Sequence, residues 1–369
     1  TPRQGRRQRQ MCIRDSCCTA NEILMRHGVA LAGDFLQQEL AVVTGAVDGM
    51  VVDVQCVMQG LGPLTKCFHT ELITTNRRAK IEGATHIEFE EHDAMKSAKA
   101  ILKAACDAFP NRGKVNIPTK HKTDLIAGFS HETINYLLGG TFRASYRPLN
   151  DNIINGKIRG IGGVVGCNNC KAPLDEYHVA MVKHLIKNDV IVLQTGCSAM
   201  ACAKEGLLLP EAARKHAGPG LAEVCETVGI PPVLHMGSCV DNSRILMAAT
   251  AVVKEGGLGD DISDLPAAGA APEWMSEKAI SIGQYFVASG VYTVFGVTFP
   301  TLGARRLTEY LMKGIAETYG GKWDYVQDPI EAANKMIAHI DERRQALGLD
   351  KEQERVLYDM AMRRELDAV

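Results

Sequence analysis

The sequence predicts an α/β protein of two domains, each a mainly parallel sheet flanked by helices, followed by a helical C-terminus. Two observations carry this expectation. Short apolar, β-branched runs of the kind buried on both faces alternate with amphipathic helical stretches. Four of those runs also end on a cysteine: MVVDVQ before Cys56, IGGVVG before Cys167, VIVLQTG before Cys197 and PPVLHMGS before Cys239. At 369 residues and 46% hydrophobic content the chain can bury two cores rather than one.

In chain order, Ile23, Leu24, Val29, Leu31 and Phe35 give a helical stripe over residues 21–38, with Gly28 and Gly33 as interruptions. The period then changes. Residues 50–54 and 71–75 read as strands, and residues 91–109 as an amphipathic helix closed by Pro110. The polar, basic, proline-broken stretch 110–122 marks the domain boundary, so the first domain covers residues 17–118 and the second 119–369. In the second domain, helices are expected over 132–138, 176–187 and 199–207, and strands over 158–165, 190–194, 232–235 and 291–295. Helices then fill most of the C-terminus, with Asp350 and Gln353 capping a final one over 351–366. Residues 1–16 carry five arginines, no acid before Asp15 and no apolar period. They read as an extraneous leader outside the fold.

The formal net charge of −2 provides no general attraction for nucleic acid, and no apolar run is long enough to span a membrane. Twelve cysteines are the informative excess. In a long, well-patterned chain without a signal peptide they read as reduced thiols of a cytoplasmic protein, used for metal or catalysis. Strand-end residues converge on one edge of an open α/β sheet, so Cys56, Cys167, Cys197 and Cys239 predict one soft, thiolate-rich site. A lone cysteine is more often a small buried apolar group, which is the expectation for Cys67, Cys106, Cys202 and Cys225. Other chemistries are weaker. Gly160-Ile161-Gly162-Gly163-Val164-Val165 has valine where a dinucleotide fingerprint needs its third glycine, and no phosphate-binding loop ending in Gly-Lys-Ser/Thr is present. Cys167-Asn168-Asn169-Cys170 is a single zinc-type pair without a second.

Six strings carry a family resemblance: CCTANEILMRHG (17–28), AVDGMVVDVQC (46–56), GVVGCNNCK (163–171), TGCSAMACAKEGLL (195–208), HMGSCVDNSRI (235–245) and APEWMSEKAISIG (271–283). The chain resembles the catalytic subunit of anaerobic nickel carbon monoxide dehydrogenases, within the hybrid-cluster protein superfamily, from Cys17 to near the C-terminus. The resemblance implies two Rossmann-like domains with a Ni-4Fe-4S-type cluster between them. Cys18 matches the ligand of the iron outside the cubane, Cys56, Cys167 and Cys197 match the cubane ligands, and Cys239 matches the nickel ligand. Lys278 matches the lysine that hydrogen-bonds the reacting carboxylate. The implied reaction converts CO and water into CO2, two protons and two electrons. Its implied partners are an electron acceptor such as ferredoxin, a second copy of the chain in a homodimer, and acetyl-CoA synthase.

Several positions depart from the family pattern. No histidine ligand precedes the double cysteine, Cys170 stands where proline is expected, and the Cys197–Cys239 interval is short. The cysteine-rich N-terminal relay domain, which would carry further 4Fe-4S clusters, is not in this sequence. The expectation is therefore a C-terminal fragment that is inactive alone. Two alternatives accompany the main reading. One is a hybrid-cluster, hydroxylamine reductase-like protein; the other is a metal-binding fragment without turnover.

Overall fold

The computed structural model describes residues 18–350 apart from positions 55, 119, 121 and 122, so the arginine-rich leader and the expected helix over 351–366 lie outside the described residues. Two parallel sheets organise the chain. The smaller contains β1 (Gly49–Val52), β2 (Glu71–Thr74) and β3 (Thr85–His86), paired in that order. The larger contains β4 (Gly160–Val164), β5 (Val190–Gln194), β6 (Val233–His235), β7 (Ala267–Ala271), β8 (Tyr292–Phe295) and β9 (Trp323–Tyr325). Its spatial order is β6-β5-β4-β7-β8-β9, and every neighbouring pair is parallel. The strand order therefore reverses between β4 and β7, the doubly wound arrangement whose carboxyl-end crevice receives ligands.

The strongest local signals became the central elements. Strand β5, Val-Ile-Val-Leu-Gln, is buried at all five positions because helices cover both faces of a parallel sheet. The helix Glu176–Lys187 covers one of them with Met181, Val182, Leu185 and Ile186. Strand β7, Ala-Ala-Gly-Ala-Ala, was not expected. It has no β-branched or aromatic residue to favour extended backbone, and it forms because β4 and β8 supply a hydrogen-bond ladder on each side. The short β3 and β9 were also unexpected, so the strand at 292–295 is followed by another rather than by helices alone.

Two helical expectations change. The stripe over 21–38 divides into the helix Cys18–His27, a 3-10 turn Phe35–Gln37 and the helix Gln38–Val43. The division follows Gly28, whose N–H closes the first helix on the Leu24 carbonyl at 2.8 Å. Leu24 itself enters the core of the larger sheet. The helix expected from residue 199 begins at Gly196, so Cys197 sits in its first turn. Among the described residues, no helix is long and apolar enough to cross a membrane.

Leu185 is fully buried against the sheet. Leu185→Ala is expected to cost about 3 kcal/mol of stability through lost transfer energy and the cavity left behind. The check is the denaturant midpoint, and a midpoint equal to the parent's would show that this helix is not part of the cooperative core.

Candidate metal centre

Parallel strands place their carboxyl ends on one edge, and the cysteines lie just beyond those ends. Cys167 follows β4, Cys197 follows β5 and Cys239 follows β6, and these three strands are adjacent. Across the reversal, β7 leads into the helix Glu277–Ala288, which carries Lys278 in its first turn. Cys56 follows β1 of the smaller sheet. Cys167, Cys197 and Cys239 are 5%, 2% and 6% exposed, whereas Cys56 is half-buried.

The structure brings four of the five expected cysteines and Lys278 into one region. Cys197, Cys239 and Phe35 form a buried cluster against which Cys56, Met58 and Ile282 pack. Cys167, Cys239 and Lys278 line a common cavity with Gly166 and Asn242. The Lys278 ammonium donates to the Cys56 sulfur at 3.1 Å, joining the two sheets at the site. The Phe35 N–H points at the Cys197 sulfur at 3.4 Å. Cys18 is the first residue of its helix, but its side chain lies outside the described residues, as does Cys17.

Close backbone approach accounts for the glycine beside Cys197. A Cβ on Gly196, which has φ +61°, would lie 2.1 Å from the Cys239 sulfur. Cys56 takes φ +51°, a region costly for a residue with a side chain, and Gln38 holds that turn from both sides. The Gln38 amide donates to the Cys56 carbonyl at 2.6 Å and accepts from the Met58 N–H at 3.3 Å. Burial pushes the Cys167 thiol up, and the neighbouring Cys197 sulfur pushes it the same way. Gathered thiolates therefore need bound cations to remain ionised.

Among the described residues, no three His, Cys, Asp or Glu groups stand close enough to grip a single metal ion. The zinc-type pair is correspondingly split, with Cys167 buried and Cys170 exposed. Sulfurs distributed around a shared cavity suit a polynuclear cluster, in which each iron takes its own thiolate. The donor set fits such a group.

Supporting polar residues were not legible beforehand. Lys204, on the helix that begins beside Cys197, bridges Asp34 at 2.5 Å and Asp175 at 2.6 Å. Asp34 is fully buried and immediately precedes Phe35, so this pairing holds the Phe35 N–H against the sulfur. Behind Cys167, buried His178 hydrogen-bonds the Cys167 carbonyl at 2.8 Å, and buried Glu273 accepts from Asn168 and from the Tyr177 N–H. These partners are more than a hundred residues apart in several cases, so no spacing announces them. Cys202 and Cys225 are buried as expected, but Cys67 and Cys106 are exposed. Cys106 lies on the solvent side of the amphipathic helix Ala94–Ala108.

Burial pushes the Cys202 and Cys225 thiols up to about 12. In metal-free folded protein at pH 8, both stay protonated and resist alkylation, as does Cys167, while exposed Cys67, Cys106 and Cys170 react first. Mass spectrometry of iodoacetamide adducts over time reads the order; early labelling of Cys202 would contradict it.

Comparison with known proteins matches this architecture. Residues 9–330 match the model of the Prismane/CO dehydrogenase family. The chain is 56% identical over 336 residues to carbon monoxide dehydrogenase 1 of Methanosarcina mazei, covering 90% of this chain and 52% of that protein. It is 46% identical over 344 residues to carbon monoxide dehydrogenase 1 of Carboxydothermus hydrogenoformans, covering 90% and 54%. Among solved structures, a nickel-free carbon monoxide dehydrogenase from Thermococcus sp. AM4 superimposes with a TM-score of 0.84 at 50% identity, covering 90% of this chain and 52% of that one. An acetyl-CoA synthase/carbon monoxide dehydrogenase with NiZn[Fe4S4] and NiNi[Fe4S4] clusters does so at 0.85 and 39% identity, covering 91% and 52%. The chain spans about half the length of the curated relatives it matches. It belongs to the Prismane/CO dehydrogenase family.

Proposed function

We propose that this chain carries the cysteine half of a site that oxidises carbon monoxide with water to carbon dioxide, two protons and two electrons, reversibly, at a Ni-4Fe-4S-type cluster. The observation that carries the reading is the convergence of four thiols and one ammonium at the strand-order reversal. Such a cluster supplies, when bound, a metal pair for CO and water and a store for two electrons.

The chain's own residues divide the remaining work. Cys56, Cys167 and Cys197 would hold the irons of the 4Fe-4S part, Cys18 a further iron and Cys239 the nickel. Strand ends fix these sulfurs on rigid elements, so the reactants meet in a set geometry instead of by diffusion. Lys278 contributes a positive charge at the cavity wall, where it would stabilise negative charge on a carboxylate-like reacting group. In a site largely closed to water that charge counts for more than it would in solution. The Phe35 N–H on the Cys197 sulfur would withdraw electron density from a cluster held there and favour its reduced form.

The substrates are CO, CO2 and water, and the reaction belongs in the cytoplasm. A ferredoxin-type acceptor, a homodimer carrying further 4Fe-4S clusters, and association with acetyl-CoA synthase complete the proposal. Relatives named carbon monoxide dehydrogenase match nine-tenths of the chain, so the hybrid-cluster alternative is not favoured.

A longer form of the chain, extended to the length of its relatives and purified anaerobically from nickel-supplied cells, is expected to contain iron and nickel and to reduce a viologen dye in a CO-dependent manner. This chain alone is expected to be inactive. Protein with neither metal would refute the reading. Cys239→Ser should lose nickel while retaining iron. Lys278→Ala should retain both metals and lose roughly a hundred- to a thousandfold in CO oxidation rate, the cost of removing one charge-stabilising donor. An undiminished rate would remove Lys278 from the mechanism.

A further inference from the structure

Cys18 opens the helix Cys18–His27, so Asn21 and Glu22, three and four residues on, lie on its face. Both dock on the segment that carries Cys239. The Asn21 Oδ1 lies 2.8 Å from His235 Nε2, and both residues are fully buried. The Gly237 N–H donates to His235 Nδ1 at 3.2 Å, which leaves Nε2 as the protonated nitrogen that donates to Asn21. Beside it, Arg244 grips Glu22 bidentately, at 2.8 Å from Nη1 and 2.7 Å from Nη2. His235 ends β6 and Arg244 lies in the first turn of the helix Ser243–Glu255, so the two contacts bracket Cys239. Gly237, at φ +118°, passes directly under the ion pair. A Cβ there would stand 2.8 Å from Arg244 Nη1 and 2.9 Å from Glu22 Oε2.

Leu24 already seats this helix in the core. Apolar burial is non-directional, however, and tolerates small slides and rotations. Two hydrogen-bonded contacts at successive residues do not, and a bidentate Arg–carboxylate pair fixes orientation as well as distance. We propose that Asn21–His235 and Glu22–Arg244 form a two-point brace that sets the separation of Cys18 from Cys239 and thereby governs nickel retention. The proposal rests on the cluster reading above. Under that reading these are the sulfurs of the nickel and of the iron outside the cubane. Cys56, Cys167 and Cys197, which hold the cubane, arrive on other elements. Loosening the brace therefore acts on nickel and spares the cubane iron.

The test uses the holoprotein, reconstituted anaerobically with iron, sulfide and nickel, with both metals quantified and the nickel environment read by X-ray absorption. Uptake of both metals by the parent is the control for the cluster reading; its failure would remove that reading and the brace with it. Given that control, Arg244→Lys, which keeps the charge but not the bidentate grip, should weaken nickel retention roughly ten- to a hundredfold, as loss of an orienting partner typically does. Iron content should stay at the parent value, while the thermal midpoint falls because a buried pair is weakened. His235→Gln should act the same way, and the exchange Glu22→Arg with Arg244→Glu should recover part of the nickel. The brace is overturned if nickel retention is unchanged in both single variants. It is equally overturned if iron and nickel fall in step, which would mark these residues as merely structural.

Discussion

The four site sulfurs with described positions, those of Cys56, Cys167, Cys197 and Cys239, each follow the carboxyl end of a parallel strand, and the rest of the molecule depends on that constraint. Parallel strands require crossover connections, and the crossovers return every strand in the same sense. Turns that are distant in sequence thus share one edge. Where the order reverses between β4 and β7, the connections leave in opposite directions and open a crevice. Cys167 and Cys239 line one side of that crevice, with Cys197 clustered beside Cys239, and Lys278 enters from the other.

Buried thiols impose a second requirement. Their ionised forms repel each other and are poorly solvated, as the raised Cys167 thiol illustrates. The surroundings answer with directed donors instead of bulk water: the Phe35 N–H on Cys197 and the Lys278 ammonium on Cys56. The backbone around these contacts is held in turn by polar side chains. Lys204 anchors Asp34 beside Phe35, and Gln38 locks the strained turn at Cys56. Thiols, backbone strain and buried charge are consequently concentrated in one region.

Much of this was legible before any coordinates. Val190–Gln194 reads as a buried strand because five successive residues suit burial on both faces, and Glu176–Lys187 reads as a helix because its apolar residues recur at helical spacing. Legibility failed where neighbours override local preference. An alanine-glycine run became β7 only because two strands flank it, and Cys67 and Cys106 met solvent because residue type alone does not specify which face of an element is covered.

The sequence by itself determined the strand-end cysteines, the glycines that let backbone approach sulfur, and the family to which they point, since each of these is a local pattern. Only the tertiary structure decided which polar groups support them. Asn21 and His235, Glu22 and Arg244, and Asp34 and Lys204 are pairs separated by 170 to 222 residues. Their meeting is dictated by sheet order and helix docking, and a one-dimensional pattern contains no term for either.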